Sequence, residues 1–116
     1  MKPGELFLEL ASIIMRMDEY LDSEVSPDYK AQPLAQDWAR VAKCGEESGE
    51  AIDALIGVTA QNPRKGEYSS KEELYAELAD VALTGMYGLQ HFTKNDADTL
   101  EIILARARYH CERVGV

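Results

Sequence analysis

The sequence predicts an all-α fold, a four-helix bundle, on three observations. Turn-forming residues gather in only three stretches, 23–33, 61–70 and 93–96, and cut the chain into four segments. Within each segment apolar residues recur at three- and four-residue spacing, the period of a helix with one buried face. Alternating β-branched runs bounded by turns, from which a sheet would be built, are absent. Four helices joined by short connections pack as a bundle. A length of 116 residues suits a single domain over 1–116, because a second core would have too little chain.

The first segment, 5–22, is apolar, but Glu5 and Glu9 interrupt what would be the continuous hydrophobic region of a signal peptide, so 6–21 reads as a helix. The second, 34–60, follows Pro27 and Pro33 and is long, with a wide polar side. The third, 71–92, has the best-marked start: Ser70 followed by Glu73 is a capping box, hydroxyl to one amide and carboxylate back to the cap. Asn95 with Asp98 repeats that logic at the head of the fourth segment, 96–114. No uncharged apolar run approaches the roughly 18 residues of a membrane span.

Twelve Lys plus Arg against 21 Asp plus Glu give a net charge of −9. With 46% hydrophobic and 28% charged residues the composition is that of a globular, soluble chain. Such acidity argues against a nucleic-acid polymer as partner, since gripping phosphates needs Lys and Arg to displace counterions. Small phosphorylated ligands stay open, because a metal cation can supply positive charge. Cys44 and Cys111 belong to no Cys-x-x-Cys, so neither a zinc site nor a disulfide framework has support, and packed, reduced thiols in a cytoplasmic protein are expected.

Carboxylates carry the chemistry. On the second helix Lys43, Glu47, Glu50 and Ala54 share a stripe, with Glu46 and Asp53 along its edge. Taken alone this is an ordinary solvated face. From Leu74 to Phe92 on the third helix, however, the only formally charged side chains are Glu77 and Asp80. A helix that apolar is expected to be largely buried, and an ionised carboxylate held against a core costs several kcal/mol unless compensated. Basic side chains, a raised pKa or a bound cation are the possible compensations. In an antiparallel hairpin Glu47/Glu50 and Glu77/Asp80 are offset by roughly one turn, so the four converge, and Lys43 alone cannot neutralise them. An all-oxygen cluster selects a hard divalent ion, Mg²⁺ or Mn²⁺, which favours phosphate-ester or anhydride chemistry. Di-iron chemistry on such a bundle needs Glu-x-x-His; Gly88 and Ala107 stand three residues before His91 and His110 instead.

These residues resemble the MazG-like all-α nucleoside triphosphate pyrophosphohydrolases. That family's mark, Glu-x-x-Glu on one helix and Glu-x-x-Asp on the next, stands here as Lys43-Cys-Gly-Glu46-Glu47-Ser-Gly-Glu50 and Glu77-Leu-Ala-Asp80. The resemblance covers about residues 39–89 in detail. It implies Mg²⁺-dependent cleavage of a nucleoside triphosphate between the α and β phosphates, giving monophosphate and pyrophosphate. By position Glu47, Glu50, Glu77 and Asp80 look like metal ligands, and Glu46 like a further ligand through water or the group that orients the attacking water. Lys43 is a candidate for a phosphate contact or, equally, for a salt bridge to Glu47. Arg106 and Arg113 on the last helix are candidates for the phosphate contacts that the family draws from that helix, competing with the plainer reading that they spread their stems over the core edge and keep their heads in water.

For the base, Met15, Met17, Tyr20, Tyr29 and Trp38 are stacking candidates, each with core or interface packing as the plainer role; no base is named. Gly45 and Gly49, four apart, would admit a neighbouring helix, and with the oligomers of relatives this points to a homodimer or homotetramer. The competing functional class is a non-catalytic helical module for nucleotide sensing or protein interaction.

Overall fold

The computed structural model describes residues Met1–Val116 as five helices and no strand: α1 Pro3–Glu24, α2 Pro27–Lys30, α3 Pro33–Thr59, α4 Lys71–Thr93 and α5 Asp96–Val114. The four long helices fall where the periodicity puts them. The short α2 lies in the turn-rich stretch before Pro33. Proline occupies the first turn of α1, α2 and α3, where its missing N–H loses no intrahelical bond.

Caps explain the other starts. Ser70 Oγ accepts from the Glu73 amide at 3.1 Å and Asn95 Oδ1 from the Asp98 amide at 3.0 Å. The reciprocal half of the box expected at Ser70 is not formed: the Glu73 carboxylate accepts the Ser69 hydroxyl at 2.7 Å instead. Ala60 and Lys94 end α3 and α4 in the left-handed region, each amide bonding back to a carbonyl four residues earlier. Asn95 alone separates the Lys94 cap from α5, so the α4–α5 corner is tight.

α3 and α4 form an antiparallel hairpin, with Asp37 level with His91, Arg40 with Gly88, Glu47 with Glu77 and Asp80, and Gly57 with Tyr68. The connecting loop folds onto α3 because Gly57 has no side chain. A Cβ there would sit 2.8 Å from both the Tyr68 ring and Ser69. Tyr68 fixes the contact, donating its amide to Gly57 O and its hydroxyl to Asp53 Oδ1 at 2.7 Å. α1 and α5 both lie against α4, and α1 also touches α5.

Packing departs from expectation in three ways. Only nine of 116 residues are buried, and apolar ones among them are few: Ile14, Ala51 and Ala54. The radius of gyration, 17.0 Å, exceeds the about 13 Å of a compact chain this long. Accordingly α4 is not the largely buried helix its composition suggests: Tyr75, Leu78 and Phe92 are exposed, since no element covers that side of α4 in a single chain. Cys111 is likewise exposed rather than packed, because α5 beyond Leu104 touches little, while Cys44 is half-buried. Trp38 is 73% exposed and is no core residue of the single chain.

Candidate metal and phosphate site

The hairpin brings Glu47, Glu77 and Asp80 together with one carboxylate oxygen of each within 4.8 Å of the others. Glu46, Glu47 and Glu50 form an overlapping group on the same criterion, so Glu47 is the hinge of both. One turn of α3 supplies Glu46, Glu47 and Glu50, and one turn of α4 supplies Glu77 and Asp80. Glu47 is 7% exposed, Glu77 is half-buried, and the others face the solvent.

Lys43 is the one cation of the chain that pairs with this group, 3.1 Å from Glu46 Oε1 and 3.2 Å from Glu47 Oε1. Hydrogen bonds to Glu46 and then Glu47 hold its ammonium above the ordinary lysine range. The Glu50 carboxyl is pushed up, first by a hydrogen bond shared with Glu47, then by the Glu47 charge, with Glu77 adding to it. Glu47 Oε2 and Glu77 Oε2 are buried and accept no hydrogen bond. Such orphaned anionic oxygens are costly without a counter-charge.

Two clefts flank the carboxylates. One, about 510 Å³, is walled by Glu46, Glu50, Asp53 and Gly49 of α3 and by Glu73 and Glu77 of α4, with Tyr68 at its end. The other, about 440 Å³, is mostly apolar. It lies between Met17 and Leu21 of α1 and Leu83 and Tyr87 of α4, with Lys43, Glu47 and Asp80 on its floor. Burial and then the Asp80 charge raise the Tyr87 phenol, keeping it protonated.

Of the residues singled out from sequence, Lys43, Glu46, Glu47, Glu50, Glu77 and Asp80 are therefore neighbours. Arg106 and Arg113 line neither cleft; Arg106 lies over the Tyr109 ring of its own helix, 4.6 Å from the centroid. Met17 borders the apolar cleft, whereas Met15, Tyr20, Tyr29 and Trp38 do not.

Sequence reasoning missed a second polar cluster. Asp18 and Asp22 of α1 meet Arg40 of α3 and Lys94 and His91 of α4: Lys94 Nζ lies 2.9 Å from Asp18 and 2.7 Å from Asp22, and Arg40 Nη2 2.9 Å from Asp22. Arg40 Nη1 makes an ionic contact of 3.3 Å with Asp18. His91 Nε2 is 2.7 Å from Asp37. Here lysine and arginine already occupy the space between the carboxylates. The signal was present: Asp18 follows Ile14 by one turn on the inward stripe of α1, where a charge demands a partner.

Comparison with protein-family models, with curated proteins and with solved structures gives no match to this chain.

Proposed function

We propose that the chain is a Mg²⁺-dependent nucleoside triphosphate pyrophosphohydrolase, releasing monophosphate and pyrophosphate. The observation that carries this reading is the convergence of Glu47, Glu77 and Asp80 with two buried oxygens lacking any partner. The donor set fits the ion: all ligands are carboxylate oxygens, and one lysine offsets five acids. Glu47, Glu50, Glu77 and Asp80 would hold it. A bound Mg²⁺ supplies charge neutralisation for phosphate oxygens and lowers the pKa of water.

The chain's own groups do the rest. Glu46, exposed beside the cluster, accepts the proton of an attacking water. Lys43, on the border of both groups, turns its ammonium from Glu46 to a phosphate oxygen. The apolar cleft between α1 and α4 takes the uncharged end of the substrate, so that one face binds anion and the adjoining one binds a flat apolar group. The α1, α3, α4 and α5 arrangement is that of an opened four-helix bundle, and this reading places the protein in the cytoplasm.

The test is a panel of canonical and modified nucleoside triphosphates with Mg²⁺, measuring every product. Monophosphate plus pyrophosphate is expected, with Glu50→Gln and Asp80→Asn losing both turnover and the Mg²⁺-induced rise in melting temperature. Diphosphate plus phosphate would contradict the proposed cleavage. A thermal shift without pyrophosphate release would mark a nucleotide sensor instead.

A further inference from the structure

The two clefts follow one another along α3, with the carboxylates between them. Arg40 and Lys43 border the apolar cleft, and Asp53 with Tyr68 closes the acidic cleft at its far end. This order gives a bound nucleotide a direction. With its uncharged end between α1 and α4 and its α phosphate at the carboxylates, the β and γ phosphates run down α3 toward Tyr68. Asp53 stands about 4.5 Å beyond Glu50 along the helix, a step that a pyrophosphate unit spans. The charge at that end is wrong for phosphate: Glu46, Glu50, Asp53, Glu73 and Glu77 line the cleft, and no cation does. An ion held by Glu47, Glu50, Glu77 and Asp80 leaves Asp53 and Glu73 beside the outer phosphates, where like charges repel. Lys43 borders the other cleft, and Arg40 is held by Asp18 and Asp22.

The α3–α4 loop brings a cation to this end. Asn62 O accepts the amides of Lys65 and Gly66, both at 3.1 Å, and Gly66 turns the chain at φ 67°. The turn sets the Lys65 ammonium over the Tyr68 ring, 5.5 Å from its centroid. Tyr68 is a fixed platform, tied to α3 through Gly57 O and the Asp53 carboxylate. A recess of about 240 Å³ bordered by Lys65 shares Asp53 and Tyr68 with the acidic cleft, so only the Tyr68–Asp53 pair divides the two. The lysines that form ion pairs are Lys43 and Lys94; Lys65 is exposed and its charge is committed to no carboxylate. Its flexible four-carbon stem lets the ammonium swing past the ring edge into the cleft.

We infer that Lys65 binds the terminal phosphate of the substrate, so that the chain tells a triphosphate from a diphosphate by its reach, and that it keeps hold of the pyrophosphate after cleavage. The inference rests on the pyrophosphohydrolase reading above. Calorimetry with inorganic pyrophosphate and Mg²⁺ tests it without turnover: Lys65→Gln should bind about tenfold more weakly than the unaltered chain, and Lys65→Arg close to it. The Mg²⁺-induced rise in melting temperature should be the same in all three. With the best triphosphate of the panel, Lys65→Gln should raise KM about tenfold at little cost in kcat, and should leave the corresponding diphosphate unaffected. Equal pyrophosphate binding in Lys65→Gln overturns the inference. So does an equal loss for triphosphate and diphosphate, a lost Mg²⁺ response in Lys65→Gln, or an unaltered chain that does not bind pyrophosphate. The two readings fail separately. Lys65-dependent pyrophosphate binding without turnover would remove the hydrolase and keep the phosphate contact, whereas turnover with undiminished binding in Lys65→Gln would do the reverse.

Discussion

Glu77 carries a buried carboxylate oxygen that costs stability in the metal-free chain. Its buried oxygen has no partner, it lies beside Glu47 and Asp80, and it helps keep the Glu50 carboxyl raised. A carboxyl whose pKa is higher folded than unfolded contributes stability only below the unfolded range, and loses it as pH rises through the folded value. At neutral pH the Glu50 carboxylate therefore works against folding, while the raised Lys43 ammonium works for it. Glu77→Gln should raise the metal-free melting temperature by a few degrees, on the order of 1 kcal/mol, and abolish the further rise with Mg²⁺. Thermal melts in chelator and in millimolar Mg²⁺ check both signs. A variant that melts lower in chelator and keeps its Mg²⁺ response would show that Glu77 is a packing residue.

Among the elements, α5 differs most along its length. Its first turn is locked: Thr99, 1% exposed, donates to Gln90 Oε1 at 2.9 Å and shares a 2.7 Å hydroxyl bond with Thr93. Beyond Leu104 every residue is exposed. A helix of this length is marginal in water without a packed face, so its distal half rests on backbone bonds and on contacts such as Arg106 over Tyr109. Amide hydrogen exchange should be fast from residue 104 to 114 and slow in 81–90 of α4, with a boundary near Ile103. Equal protection along α5 would mean that something covers the helix in solution.

On the scale of the whole molecule, the Asp18–Asp22–Arg40–Lys94 cluster joins α1 to the hairpin, and pH acts through it. Burial opposes ionisation of Asp22, but the Lys94 hydrogen bond, with the Lys94 and Arg40 charges, outweighs it and holds the carboxyl below the usual range. Burial lowers Lys94, while hydrogen bonds to Asp22 and Asp18 raise it on balance. For Asp22 the contribution is complete above the unfolded value, about 3.9, and is lost as pH falls through the depressed one. For Lys94 it is complete below about 10.4 and is lost as pH rises further. Through Asp22 the cluster thus loosens its hold on α1 in acid, and through Lys94 at high pH. Denaturation midpoints followed from about pH 7 down to about pH 2 should show a fall below about pH 4 that is shallower in Asp22→Asn. An equal fall in the variant would remove Asp22 from the account.

Helix identity, most boundaries and the candidate carboxylates were legible because each is local. The three-to-four spacing, the Ser70 and Asn95 caps and the Glu-x-x-Glu and Glu-x-x-Asp steps depend only on the pitch of a helix. The two acidic turns, however, stand level rather than offset by a turn, because the register that pairs Asp37 with His91 and Arg40 with Gly88 sets Glu47 opposite Asp80 and Glu50 opposite Glu77. What the tertiary structure alone decided concerns partners distant in sequence. Lys94 reaches Asp18 across 76 positions, His91 meets Asp37 across 54, and Arg106 and Arg113 stand apart from the clefts. Burial was misread on α4 and at Cys111 for the same reason. Periodicity shows which face of a helix is apolar, but whether that face is covered depends on how many other helices reach it.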